Sequence, residues 1–223
     1  MSITIGFLLF PDMTNLDFAG PFEVFSQVPG AKVHLVAKSL DAVTADKGLR
    51  LLPDTTFADC PQLDVLCVPG GPHVDFLFED SETLDFLKTQ GAGAKYVTSV
   101  CTGSLILGAA GLLEGYKATS HWTSVDMLTH FGTVPTKGRV VKDRNRITGG
   151  GVTAGIDFAI AVAAELVGEQ VAKMIQLGLE YNPAPPFVGG HPDVAEAEIV
   201  TAVGAIMKER LDRRRMAAGN FAA

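Results

Sequence analysis

Cysteine, tryptophan, tyrosine and charge are all sparse in this chain of 223 residues: it has three Cys, one Trp and three Tyr, and 19% of its residues are charged. Cys60, Cys67 and Cys101 form no C-x-x-C pair, which excludes a zinc ribbon and a disulfide framework as readings. The histidines (His34, His73, His121, His130, His191) show no metal-ligand spacing. No apolar run approaches the roughly 18 residues needed to span a bilayer. The first apolar run has no basic segment before it and soon meets Pro11 and Asp12, so it reads as a strand and not as a secretory signal. A soluble, cytoplasmic protein with free thiols and no membrane partner is expected. Positive charge is also short. Lys and Arg total 18 against 25 Asp and Glu, a net charge of −7, which argues against a nucleic-acid partner.

What the chain does have is apolar content. Hydrophobic residues make up 47% of it, enough for a sizeable core. The length favours one domain over residues 1–223. Short apolar runs alternate with helical patterns. Strands are expected at 3–10, 32–38, 63–68 and 95–100, with further strand signals at 118–122 and 139–148. Helices are expected at 17–27, 81–90, 102–110, 152–178 with a break near Gly168, and 193–215. Residues 41–57 read as short strands and turns. Alternation of this kind implies a mostly parallel sheet with helices on both faces.

Sites in open α/β sheets gather beyond the C-terminal ends of the strands. Three segments there stand out: Asn15-Leu16-Asp17, Pro69-Gly70-Gly71 and Val100-Cys101-Thr102-Gly103. They converge if their strands are neighbours. Cys101 lies at a strand-to-helix junction between Ser99 and Gly103, small neighbours of the kind a nucleophile elbow needs. The start of the following helix is expected to favour thiolate. The competing reading of Cys101 is a buried, inert cysteine. Cys67, inside an apolar strand, and Cys60 read as structural.

Asp17 has two readings, a helix N-cap or a carboxylate that exchanges protons with a substrate on Cys101; Pro21, placed in the first turn, fits the cap. Gly70-Gly71 is either an ordinary turn or a close-approach donor of backbone N–H groups. Thr102 either offers its N–H and hydroxyl to the same pocket or faces solvent. Gly149-Gly150-Gly151 does not fit G-x-G-x-x-G; it reads as room for the next helix to pack near the nucleophile. His121 reads as structural before catalytic. Lys208, Arg210 and Arg213-Arg214-Arg215, interleaved with Glu209 and Asp212, read as a solvated helix end.

Several strings then match a known family in order. Ser99-Val100-Cys101-Thr102-Gly103-Ser104-Leu105, Pro69-Gly70-Gly71 and the run Thr148 to Phe158 (TGGGVTAGIDF) resemble the PfpI-like cysteine superfamily. So do Ile5 to Pro11, Leu16-Asp17, Gly20-Pro21, Ala118 to Trp122, Leu179 to Tyr181 and Pro183 to Phe187. The likeness covers about residues 3–187. It is nearest the isocyanide hydratase branch, because Asp17 stands where protease-like members carry Glu, and Thr102 where several carry His. AraC-type regulators share some strings, but the chain is expected to be too short for their helix-turn-helix domain.

The resemblance implies a flavodoxin-like α/β sandwich and a homodimer. It implies Cys101 as nucleophile, Asp17 as general acid and base, and Thr102 as the third catalytic residue, which with the Gly70-Gly71 turn would hold the reacting atoms or the water. Gly70, Gly71 and Gly150 would line the substrate. No metal or organic cofactor is expected. The implied reaction is hydration of an isocyanide to an N-substituted formamide through a thioimidate on Cys101. The alternatives are another PfpI-like cysteine enzyme, of amidase or glyoxalase type, and a non-enzymatic thiol or metabolite sensor.

Overall fold

The computed structural model describes residues 2–221. In chain order its elements are β1 (Ile3–Leu8), α1 (Asn15–Ser26), β2 (Ala31–Ala37), β3 (Val43–Thr44), β4 (Arg50–Leu51), β5 (Thr55–Thr56), β6 (Val65–Val68), α2 (Ser81–Gly93), β7 (Tyr96–Val100) and α3 (Gly103–Ala109). There follow β8 (Lys117–Ala118), β9 (Val134–Pro135), β10 (Val140–Asp143), β11 (Arg146–Gly149), α4 (Ala154–Val167), α5 (Glu169–Gly178) and α6 (Ala197–Phe221). Seven strands form the central sheet in the order β10-β11-β7-β6-β1-β2-β5. Within it, only the β10–β11 pair is antiparallel. Helices α1, α4 and α5 pack together as one layer, and α2 and α3 pack against β6 and β7 as the other. This is the flavodoxin-like sandwich expected from the sequence.

The centre of the sheet is apolar on both faces, as parallel strands under helices require. Ile5, Phe7, Val65, Leu66, Cys67, Val97 and Val100 have no solvent exposure. Gly6 is needed for the fit, since a Cβ there would lie 2.4 Å from Leu63 Cδ1. The phenylalanines of α1 close over β1, with Phe18 edge-on to Phe7 at 5.3 Å and Phe25 tilted on it at 5.9 Å. Truncating one such buried ring to Ala costs about 3–5 kcal/mol. Phe25 also meets Phe158 of α4 at 6.2 Å, so the aromatic stack ties α1 to α4 as well as to the sheet.

Several expected boundaries move. Helix α1 begins at Asn15, which leaves Pro21 inside the helix and not in its first turn. Pro21 cannot donate to the Asp17 carbonyl; its ring instead fills the space left by Gly155, where a Cβ would stand 3.1 Å from Pro21 Cδ. The strand expected at 118–122 stops at Ala118, and Thr119 to Trp122 form a loop. Residues 139–148 form a hairpin, β10 and β11, turning at Arg144 with φ 54°. The break at Gly168 is as expected, with φ 89° between α4 and α5. Asp80 caps α2, accepting from Thr83 N. Helix α6 starts later than expected and runs beyond Arg215. Lys208, Glu209 and Arg215 are exposed there, as expected of a solvated helix end, but Arg214 is the exception at 3% exposure.

Candidate active site

Strands β7, β6 and β1 are neighbours, so the three loops singled out in the sequence meet. Cys101 follows β7 directly and takes φ 56°, a left-handed backbone that β-carbon residues avoid. Such a conformation costs on the order of 1–3 kcal/mol and persists only where the surroundings enforce it. Here they do. The N–H of Cys101 donates to the Gly149 carbonyl at 3.1 Å. Its carbonyl accepts from Ser104 Oγ at 3.2 Å and Ser120 Oγ at 3.1 Å. Gly103 completes the elbow, because a Cβ there would lie 2.1 Å from the Val68 carbonyl oxygen. The small residue expected two positions after Cys101 is therefore a steric requirement.

Asp17 lies in the first turn of α1 and has no solvent exposure. It is not the N-cap: that position is Thr14, which makes no side-chain capping bond. The cap reading is thereby corrected. Asp17 Oδ2 accepts from the Gly70 N–H at 3.0 Å, and Oδ1 has no partner. Burial raises its carboxyl to about 7, against the pull of the Gly70 N–H and Cys101. A carboxyl group in that range passes a proton either way near neutral pH.

The Cys101 thiol is 5% exposed and shifted well up, first by burial and then by the Asp17 charge. The Thr102 N–H and Arg214 oppose this shift without reversing it. The helix start does pull the thiol down through the Thr102 N–H, but desolvation outweighs it, so the expected net lowering is not reached. Asp17 and Cys101 thus compete over one negative charge and titrate as a pair.

Thr102 is buried, which corrects the solvent-facing alternative. Its hydroxyl accepts from the Gly71 N–H and donates to the Gly71 carbonyl, both at 2.9 Å. The N–H groups of Gly70 and Gly71 are therefore engaged by Asp17 and Thr102, so neither is a free donor for a reacting atom. Gly70 matters by its lack of a side chain: a Cβ would stand 2.5 Å from Thr102 N and 2.9 Å from Asp17 Oδ2.

Cys101 and Thr102 open onto a cavity of about 200 Å³, which also borders Gly71, His121, Val152 and Arg214. Gly150 does not line it. Its N–H donates to the Arg139 carbonyl at 2.9 Å, and it borders a groove of about 840 Å³ that shares His121 and Val152 with the cavity. Gly149 meets Phe158 of α4, where a Cβ would lie 3.1 Å from Phe158 Cβ; the helix packs closely here, as expected of the triple glycine. His121 bonds Thr123 Oγ1 through Nδ1 at 2.8 Å. Burial, with Arg214 and Arg210, lowers it to about 4, so it is neutral at pH 7. Cys67 is buried and its thiol is pushed up to about 12 by burial; Cys60 is half-buried and up to about 11. Among the described residues no group of His, Cys, Asp or Glu is placed to hold a metal ion, and no helix is long and apolar enough to cross a membrane.

Sequence reasoning missed Met207, Arg210 and Arg214 of α6, all of which reach the cavity. A usable signal was present. Met207, Leu211, Arg214 and Ala218 follow helical spacing, so Arg214 lies on the stripe that faces the protein.

A parallel α/β sheet that ends in a strained cysteine elbow, with a buried carboxyl beside the sulfur, defines a cysteine-centred α/β protein of the nucleophile-elbow kind. Residues 3–165 match the DJ-1/PfpI family, and the chain belongs to it. It is 58% identical over 200 residues, 90% of this chain and 88% of the other, to the isonitrile hydratase of Pseudomonas putida. It superposes on the crystal structure of a THiJ/PfpI family protein from Pseudomonas syringae with TM-score 0.96 and 50% identity, covering 98% of this chain and 91% of that one. It is also 30% identical over 180 residues, 77% of this chain, to the HTH-type transcriptional regulator GbdR of Pseudomonas aeruginosa, of which it spans 49%.

Proposed function

We propose that this chain hydrates isocyanides to N-substituted formamides. The observation that carries the reading is the Asp17–Cys101 pair, a carboxyl raised to about 7 beside a buried thiol. The 58% identity to a protein named isonitrile hydratase supplies the substrate class. An isocyanide, R–N≡C, has a terminal carbon open to a sulfur nucleophile and in need of a proton. A thiol beside a carboxylate that takes up its proton and hands it on matches both needs.

The steps balance on one shared proton. As Cys101 sulfur bonds to the terminal carbon, the Asp17 carboxylate takes the thiol proton and gives it to that carbon, leaving a thioimidate, R–N=CH–S, and an Asp17 carboxylate. Water then adds to the same carbon, one of its protons passing to nitrogen with Asp17 as relay. The remaining hydroxyl proton goes to Asp17 as the C–S bond breaks. Asp17 then returns that proton to sulfur, so the products are R–NH–CHO, the Cys101 thiol and the Asp17 carboxylate, which is the starting state. Covalent catalysis thereby divides one difficult hydration into two easier steps. Thr102 holds the Gly70-Gly71 turn, and that turn holds Asp17. Gly71 borders the substrate cavity, and Gly70 leaves room for Asp17 and Thr102 to approach one another. The route needs no metal or organic cofactor. The same reading takes residues 1–223 as one unit, working as a homodimer in the cytoplasm.

Mixing the protein with an alkyl isocyanide tests this by intact-mass spectrometry and a formamide assay. A transient adduct on Cys101 with formamide accumulating is expected. Saturable binding with neither adduct nor formamide overturns the reading, and favours the sensor role that the likeness to a transcriptional regulator suggests.

A further inference from the structure

Helix α6 lies outside the stretch that matches the family, which ends at residue 165, yet it supplies part of the cavity wall. Its anchor is Arg214. One terminal nitrogen donates to Ser124 Oγ at 2.9 Å, and the other to the carbonyls of Gly71 at 3.3 Å and Pro72 at 2.9 Å. Gly71 is the residue whose N–H and carbonyl both engage the Thr102 hydroxyl. A single guanidinium thus grips the far side of the turn that Thr102 and Asp17 hold from within. Arg214 Nε has no protein partner, although the side chain is almost fully buried. No carboxylate is bonded to it: the nearby Asp75 is taken by Arg213, at 2.5 Å from Nε to Oδ2. An arginine buried beside a cavity without a carboxylate partner keeps its charge available to whatever charge forms there.

We propose that Arg214 is a positioning residue of the active site, which fixes the Gly71-Pro72 turn against Thr102 and lends its positive charge to the sulfur of Cys101. The inference rests on the hydratase reading only for its effect on turnover; the effect on the thiol stands apart from it. The charged and titratable groups around the sulfur and the guanidinium come from every neighbouring element. They are Asp17 of α1, Asp46 between β3 and β4, Asp75 after β6, His121 after β8, and Arg210 and Arg213 of α6. His121 is neutral at pH 7, and Asp75 is bonded to Arg213. Arg214 is the cation that opposes the upward push of burial and Asp17 on the Cys101 thiol.

The test is the pH profile of Cys101 alkylation by iodoacetamide, read by mass, in the full chain and in Arg214→Met, Arg214→Lys and Arg213→Gln, alongside kcat and KM with an alkyl isocyanide. In Arg214→Met the alkylation midpoint is expected to rise by about one pH unit, the size of an ordinary protein pKa perturbation. Its kcat is expected to fall at least about tenfold, with KM changed less. Arg214→Lys keeps the charge but not the fork, so its midpoint stays near that of the parent while kcat drops. Arg213→Gln loosens α6 from Asp75 and leaves the midpoint in place. If Arg214→Met does not fold, Arg214→Gln replaces it with the same expected shift. An unmoved midpoint in the neutral variant overturns the proposal. So does a Lys variant displaced as far as the Met variant, or an Arg213→Gln variant that shifts as much. Absence of formamide from the parent protein would overturn the hydratase reading instead, and alkylation would still decide the role of Arg214.

Discussion

Gly70 donates its N–H to Asp17 Oδ2 at 3.0 Å, and a Cβ on the same residue would stand 2.9 Å from that oxygen and 2.5 Å from Thr102 N. One glycine therefore both bonds the carboxyl and keeps clear the space between it and the elbow. Gly70→Ala must displace backbone, since Thr102 N cannot swing aside as the tip of a side chain can. We expect a loss of about 1–3 kcal/mol in stability and a fall in formamide formation on the order of 10²-fold, the scale of a small misplacement at a reacting centre. Thermal melts and turnover check both. Wild-type turnover in Gly70→Ala would mean that Asp17 and Thr102 tolerate displacement.

Asp17 links stability to pH. Its folded-state value of about 7 lies above the ordinary 3.8, so between those values the native state holds a proton that the unfolded chain has released. Its contribution to stability is fully present below about pH 4, is lost as pH rises, and reaches its full penalty above about pH 7. The upper bound is on the order of 4 kcal/mol. Asp17→Asn removes the titration. Its stability relative to the parent should therefore improve as pH climbs from 5 to 8, while turnover falls by about 10²–10⁴-fold for want of a proton carrier. Melts at the two pH values decide the first point; a gap that does not change with pH would sink it.

Cys101 carries function and strain at the same position. Cys101→Ala and Cys101→Ser should both lose turnover, because neither offers sulfur. Cys101→Gly should lose it too, yet be more stable than Cys101→Ala. The φ of 56° penalises a side chain by about 1–2 kcal/mol and leaves glycine unpenalised. Chemical denaturation of Cys101→Gly and Cys101→Ala compares them directly. Equal stability would mean that the surroundings relax once the sulfur is gone.

How much of this is legible in the sequence depends on how local each feature is. The strands show as apolar runs because both faces of β1, β6 and β7 are covered. Their adjacency is a condition of the site, and the sheet order meets it. The elbow shows through Ser99 and Gly103, since tight turns need small residues at fixed offsets. Asp17 looks like a cap because acids at helix starts usually are. What removes it from that role is burial under the Gly70 turn, a contact 53 positions away in sequence. A low Cys101 thiol is the natural expectation because a helix start is visible in sequence and burial is not. Arg214 is hidden between Arg213 and Arg215 when the cluster is read as composition. Read at helical spacing with Met207 and Leu211, it falls on the inward stripe.

Gly155 offers the most remote route to the site. It stands on α4 where a Cβ would lie 3.1 Å from Pro21 Cδ and 3.5 Å from Val100 Cγ1. Pro21 sits four residues after Asp17 on α1, and Val100 immediately precedes Cys101. A side chain at 155 would press on the helix that carries the carboxyl and on the strand that carries the thiol. Gly155→Val should therefore cost on the order of 1–3 kcal/mol by overpacking and lower kcat more than it raises KM, because the two groups separate while the cavity wall from α6 is untouched. Gly204→Val on α6 is the control, since a Cβ at that position would meet nothing within 4 Å; it should leave kcat and KM as they are. Loss of stability in Gly155→Val with kcat unchanged would show that α1 and β7 absorb the pressure without moving Asp17 from Cys101.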